Sequence, residues 1–309
     1  MDPVAHTLVG GSLAQAGLGR RTPLATATLL VAVNLPDIDI VAYAWGETHA
    51  LAFRRGWTHG VLALVVLPLV LAGCMLLWDR LVRRARHPER APARGRTILL
   101  LAGLGVLTHP ALDLLNVYGV RLLMPWSDGW FYGDALFIVD PWVWAMLAGG
   151  WWLAARRRGP GPARAALVAL VVYATTMAGT GWVGRRLVWR ALPDGGAGVT
   201  RLMVAPRPVT PFVRTVVLEE ALAYRVGKLD WRAPGRFGPD DLVAIGKGDR
   251  SPYVARARRV PEVSRFLRWA RFPFFQVLPA GVGHRVSVID ARYALAPNAA
   301  FGALTIDLP

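Results

Sequence analysis

The stretch Val61-Leu-Ala-Leu-Val-Val-Leu-Pro-Leu-Val-Leu-Ala-Gly-Cys-Met-Leu-Leu-Trp78 carries no charge over 18 residues. That is within the length an α-helix needs to cross the hydrocarbon core of a bilayer. Its Pro68 is tolerable, because neighbouring helices can satisfy the backbone groups that a proline frees inside a membrane. Three further segments read as spans: Ile98 to Leu115, apolar apart from Thr108, His109 and Asp113; Ala135 to Ala155, with a single Asp140; and Ala163 to Val183, uncharged after Arg164. Two shorter apolar segments, Pro3 to Gly19 and Leu24 to Leu35, bring the expectation to about four to six membrane helices. Composition agrees: 54% hydrophobic residues, 13 tryptophans and a mean hydropathy of +0.36 in 309 residues exclude disorder and are too apolar for an ordinary soluble fold. The single cysteine, Cys74, excludes an internal disulfide framework and any cysteine-rich metal site. Lying in an apolar run, it is expected to be buried and inert.

Beyond Val183 proline and glycine rise, and short alternating stretches such as Thr215-Val-Val-Leu218 and Arg285-Val-Ser-Val-Ile289 lie between turn signals. The chain therefore reads as a polytopic α-helical membrane domain over residues 1–184, followed by a smaller β-rich soluble domain over 185–309. Asp2 stands where a secretory signal would be basic, so the first helix is expected to remain in the mature fold.

There are 36 basic and 20 acidic residues, a net charge of +16. One loop holds Arg80, Arg83, Arg84, Arg86, Arg90, Arg94 and Arg96, and another holds Arg156, Arg157, Arg158 and Arg164. Two crossings separate them, so they share a side, and the positive-inside rule makes that side cytoplasmic; Arg20-Arg21 agrees. The expected location is the cytoplasmic (inner) membrane, multi-pass, with the opposite helix ends and the β-rich domain extracytoplasmic. Arg185, Arg186 and Arg190 argue against the last point. Residues 185–309 hold 20 basic and 10 acidic residues, and only Lys228 and Lys247 in the whole chain are lysines. That bias reads as base composition rather than a nucleic-acid groove, so no nucleic-acid partner is expected.

Ionisable residues at membrane depth are costly and mark functional positions by default. In Leu107-Thr-His-Pro-Ala-Leu-Asp-Leu-Leu115, His109 and Asp113 stand at i and i+4 on one helix face, as a shared cation or a helix-bracing hydrogen bond would require. In Leu35-Pro-Asp-Ile-Asp39, Pro36 is expected to break the helix, and Asp37 and Asp39 in extended chain point the same way. They offer oxygen ligands, a general base, or two solvated carboxylates at a helix end. In Phe53-Arg-Arg-Gly-Trp-Thr-His-Gly60, His59 begins the long span beside Arg54 and Arg55, which suit either an anionic substrate or a membrane anchor. His6 sits alone on a small-residue helix. The charge argument places His6, Asp37, Asp39, His59, His109 and Asp113 at one membrane face, and three histidines with three carboxylates make a zinc-like ligand set.

These motifs are ordered as in the YdjM-type, YbcI/YfhP-like membrane-bound metal-dependent hydrolases, which the chain resembles over about residues 1–155. The matching stretches are Ala5-His-Thr7, Leu35-Pro-Asp-Ile-Asp39, Arg55-Gly-Trp-Thr-His59, Thr108-His-Pro-Ala-Leu-Asp113 and Pro125-Trp-Ser-Asp128. Members often have His where Arg54 stands and Ser where Gly60 stands, so the resemblance leaves a second metal open. The pattern is more remotely similar to the zinc-dependent phospholipase C and P1 nuclease superfamily, which cleaves phosphoric esters. The implied activity is metal-dependent hydrolysis, of esterase or phosphodiesterase type, by a divalent ion such as Zn2+; the expected place of the site at the outer membrane–water boundary points to an amphiphilic substrate such as a phospholipid or a lipid-linked phosphate. Whichever of Asp37 and Asp39 is not consumed as a ligand would act as base and Arg55 would meet developing negative charge, with Asp128 and Asp140 supporting the ligands from behind or standing on the anion rim. A metal-binding transporter and a non-catalytic regulatory membrane protein are the competing readings. The oligomeric state is not legible.

Overall fold

A computed structural model describes residues 1–294 and 301–309. The chain divides into two compact units. One comprises Met1–Ile40 and Arg54–Gly179, the other Val41–Phe53 and Thr180–Pro309.

The first unit is helical. Asp2 caps α1 (Pro3–Gln15) by accepting from Val4 N at 3.0 Å and Ala5 N at 3.1 Å, with Pro3 in the first turn, where its missing N–H costs nothing. Next come α2 (Ala25–Ala32) and a 3-10 helix (Leu35–Trp45), the latter passing into the second unit at Val41. Further along the chain are α4 (Val61–Arg86), interrupted by a π turn at Asp79–Arg83, and α5 (Gly95–Leu114). The unit continues with α6 (Pro141–Arg157) and α7 (Gly161–Ala191), the latter passing into the second unit at Thr180. Among the described residues three helices, α4, α5 and α7, are long and apolar enough to cross a membrane, and α2 with the 3-10 helix forms a bent pair that would make a fourth. The outward faces of α4 and α7 expose Val65, Val66, Leu69, Val70, Val168, Val171 and Val172, as lipid-facing helices do.

Three expectations need correction. The segment at 135–155 becomes helical only at Pro141, because Asp140 supplies the cap and Pro141 fits the first turn, so the helix has 17 residues. Pro36 does not leave Asp37 and Asp39 in extended chain; it sits at the start of the 3-10 helix, where proline is tolerated. Cys74 is exposed on α4 rather than buried, which in a spanning helix is exposure to lipid.

Helix contacts in this unit rely on small residues. Ala5 and Val9 of α1 pack with Val143 and Leu147 of α6 and with Leu170 and Met177. Ala32, Leu71, Ala102 and Val106 join α2, α4 and α5. At Gly105 a Cβ would lie 2.4 Å from that of Ala32, so only glycine allows α5 to approach α2 this closely.

In the second unit α3 (Glu47–Phe53) packs on α9 (Pro261–Trp269), whose Val263, Phe266 and Trp269 are buried. The strands β1 (Arg201–Pro206), β2 (Val213–Glu219), β3 (Ala223–Asp230) and β4 (Val243–Gly246) form an antiparallel meander, with Val204 opposite Val216 and Val217 opposite Val226. The short α8 (Pro252–Ala257) precedes α9. The remaining strands, β5 (Pro273–Ala280), β6 (Gly283–Asp290) and β7 (Ala303–Leu308), make a second antiparallel sheet. Alternating burial along β3 and β6 matches a half-buried pleat.

Candidate metal centre

His109 and Asp113 stand one turn apart on α5, and Asn116 follows just beyond its end. The close approach at Gly105 has its consequence one turn later, where His109 Nδ1 lies 2.6 Å from the Val33 carbonyl. A carbonyl only accepts, so Nδ1 carries the proton and Nε2 presents a lone pair. His59 reaches the same state by another route. Thr58 Oγ1 donates to Asp39 Oδ2 at 2.9 Å, which leaves it to accept from His59 Nδ1, also at 2.9 Å. The two Nε2 atoms then face each other at 3.1 Å, and two lone pairs at that distance require a proton or cation between them.

Carboxylate oxygens surround the same point. Asp113 Oδ2 is 3.4 Å from His59 Nε2 and 3.6 Å from His109 Nε2, while Asp37 Oδ1 is 3.9 and 3.7 Å from them. Ligands about 2.0–2.1 Å from a tetrahedral zinc stand about 3.3 Å from each other, so these separations fit a shared ion. Asp37, His59 and His109 form one group able to hold a metal ion; His6, His109 and Asp113 form another. The His6 ring stacks on His109 at 3.7 Å, and its Nε2 lies 3.4 Å from Asp113 Oδ1. Neither nitrogen of His6 nor Oδ2 of Asp113 has a hydrogen-bond partner, although both residues are fully buried. Polar atoms in that position are costly unless a ligand completes them.

The other oxygen of Asp113 is occupied. Arg55 Nη2 lies 3.2 Å from Oδ1, Asn116 Nδ2 donates to it at 3.4 Å, and the Met1 amino group also contacts it. Arg55 donates from Nη1 to Asn116 Oδ1 at 3.1 Å and to the Gly119 carbonyl at 3.2 Å, and lies over the Tyr118 ring. Its backbone adopts φ +54°, a left-handed conformation that costs a non-glycine residue on the order of 1 kcal/mol or more. That conformation lets its N–H donate to Asp39 Oδ2 at 2.8 Å while its carbonyl accepts from Arg121 N at 2.8 Å. A Cβ at the next residue, Gly56, would stand 2.6 Å from Arg121 Nη2.

The sequence-level candidates therefore separate. His6, His59, His109, Asp113 and Asp37 converge. Asp39 turns to Arg55, Thr58 and Arg54 Nε, the last at 3.2 Å, and orients His59 from behind. Arg54 Nη2 also pairs with Asp37 at 3.1 Å, so Arg54 bridges the two aspartates instead of anchoring to headgroups. The guanidinium of Arg55, expected to meet a substrate charge, is directed at Asp113. Asp128 is exposed and pairs with Arg121 at 3.4 Å. Asp140 caps α6 and accepts from the Tyr173 hydroxyl at 3.1 Å. Asn116, Arg121 and Thr58 join the site beside these candidates. The signals were available: a polar residue three positions past Asp113, a lone arginine in an apolar loop, and a hydroxyl beside His59.

A family model described as "YdjM inner membrane protein" matches residues 1–184. No curated protein and no solved structure matches the chain.

Proposed function

The chain belongs to the YdjM inner membrane protein family, and from that premise we propose a multi-pass membrane hydrolase that uses one divalent metal ion, zinc, to cleave a phosphoric ester of an amphiphilic substrate. The observation that carries this reading is the convergence of the His59 and His109 Nε2 lone pairs with the unpartnered Asp113 Oδ2. Mixed nitrogen and carboxylate donors at tetrahedral spacing favour zinc over magnesium or calcium, which prefer all-oxygen shells. A zinc ion held there supplies a Lewis acid and brings the pKa of water near neutrality.

The protein's own groups divide the remaining work. The Val33 carbonyl and Thr58 fix the tautomers of His109 and His59, and Arg55 with Asn116 fixes the rotation of Asp113. The His side chains are closed to solvent, whereas Asp37 and Arg54 keep 11% and 18% of their side chains exposed, so substrate enters along that edge. Asp37 is the residue placed to hold the ion or to take a proton from attacking water. Arg54, already spanning two carboxylates, is the cation placed to meet the substrate phosphate. With α6 counted as a further crossing, the positive-inside rule applied to the two arginine loops favours the extracytoplasmic side for this edge and for the β-rich region.

Elemental analysis of the purified protein beside His59→Ala and Asp113→Asn, joined to a screen of amphiphilic phosphodiesters, phosphomonoesters and carboxyl esters, tests the reading. Stoichiometric zinc and turnover in the wild type, both lost in the variants, support it. Equal, negligible metal in all three proteins overturns the metal centre. Cation flux across proteoliposomes without ester turnover overturns hydrolysis in favour of transport.

A further inference from the structure

From Ala165 to Gly184, α7 runs for 20 residues without a charge, about 30 Å of helix and the thickness of a hydrocarbon core. Arg164 and Arg185 bound that run, so residues just past Gly184 stand at headgroup level. The helix continues to Ala191, and Trp182, Arg185, Arg186, Trp189 and Arg190 recur at helical spacing along one face. With Leu202 of β1 they line a groove of about 360 Å³, in the range of small-ligand sites. Trp182 is 55% exposed and Trp189 42%, and the Arg186 guanidinium lies 3.7 Å from the Trp182 ring centroid. Among the described residues none of the three arginines pairs with a carboxylate.

We propose that this groove binds the headgroup phosphate of an anionic phospholipid from the surrounding leaflet. Three guanidiniums without a carboxylate partner make a net-cationic site whose planar N–H donors match phosphate oxygens. The exposed indoles suit the boundary between acyl chains and water, and one of them already forms the cation–π floor for Arg186. Depth in the bilayer selects a lipid over a soluble anion, and the cluster's positive charge selects an anionic over a zwitterionic headgroup. Bound lipid would tie the end of the α7 span to the leaflet, independently of any chemistry at the metal centre.

The test is native mass spectrometry and tryptophan-fluorescence titration of the full-length protein in detergent, with phosphatidylglycerol, phosphatidylcholine and inorganic phosphate as separate probes. Arg185→Gln/Arg186→Gln/Arg190→Gln is compared with Arg156→Gln/Arg157→Gln, which removes arginines from the end of α6. Phosphatidylglycerol should stay bound through delipidation of the wild type and of the α6 variant, with at least tenfold weaker retention in the α7 variant. If the triple variant does not assemble, Arg186→Gln and Arg190→Gln singly should each weaken retention severalfold. Unchanged retention in the α7 variants, equal loss in the α6 variant, equal binding of phosphatidylcholine, or displacement of the lipid by millimolar inorganic phosphate each overturns the proposal.

Discussion

Asp290 and Arg292 in the β-rich unit are buried as deeply as Asp113 and Arg55 in the helical one. Yet every face of Asp290 is met by the chain itself: Oδ2 accepts from Arg271 N at 2.6 Å and from Arg292 Nη2 at 2.8 Å, and Oδ1 from Arg292 N at 2.9 Å. Asp113 is completed on one oxygen and bare on the other, with two imidazole lone pairs turned towards the bare one. A buried charge pair that closes on itself serves the fold. A buried carboxylate left half-satisfied beside nitrogen donors forms a group able to hold a metal ion.

Substituting the two aspartates should break the comparison most sharply. Asp113→Asn and His59→Ala should each abolish stoichiometric zinc in elemental analysis. Asp290→Asn should leave the zinc content unchanged while destabilising the β-rich unit by about 3–5 kcal/mol, because Arg292 loses its counter-charge in a buried setting. Hydrogen exchange localised to β5 and β6 measures the second effect. Loss of zinc in Asp290→Asn would show that the two buried pairs are not separable in this way.

The next effect concerns the groups behind the ligands. Thr58→Val frees His59 Nδ1 from its tautomer-fixing partner, and Asn116→Ala removes a donor to Asp113 Oδ1 together with an acceptor for Arg55. Each should weaken zinc affinity by about 10–100-fold, as read by competition with a chelating dye, without unfolding the protein. The same residues show where sequence reading stops. Uncharged runs such as Val61–Trp78 and the i, i+4 pair His109/Asp113 are legible because one-dimensional spacing dictates them. That Asp37 faces His59 and His109 while Asp39 faces Thr58 and Arg55 is not legible, since it depends on a 3-10 turn after Pro36 and on the left-handed backbone of Arg55. Nor does hydropathy show that Val41–Phe53, lying between the aspartate and arginine motifs, packs with the β-rich unit. That assignment comes from contacts between α3 and α9, about two hundred residues apart in sequence.

A smaller effect should follow from packing alone. Gly105→Ala places a Cβ 2.4 Å from that of Ala32, so α5 must move away from α2, at a cost of about 1–3 kcal/mol. The same movement draws His109 Nδ1 from the Val33 carbonyl, so zinc affinity should fall while every ligand is still present. Gly103, inside the same helix, where a Cβ would meet nothing within 4 Å, provides the control: Gly103→Ala should lower neither thermal stability nor zinc affinity.

The smallest expected effect belongs to the β-rich side of the comparison and is one of pH. Burial by itself would raise the Glu219 carboxyl, but hydrogen bonds from Arg201 and Lys247 outweigh it and hold its pKa below the usual glutamate value. An acid whose pKa is depressed by folding stabilises the native state above its unfolded pKa, near 4.3, and loses that contribution as pH falls through the lower folded value. Hydrogen exchange in β1 and β2 should therefore be slower in the wild type than in Glu219→Gln at pH 7, and the two should converge as the pH drops below about 4. The zinc content at pH 7 should be the same in both proteins, because Glu219 is completed by its own neighbours, as Asp290 is. A Glu219→Gln protein with altered zinc content would mean that charge in the β-rich unit is coupled to the metal centre after all.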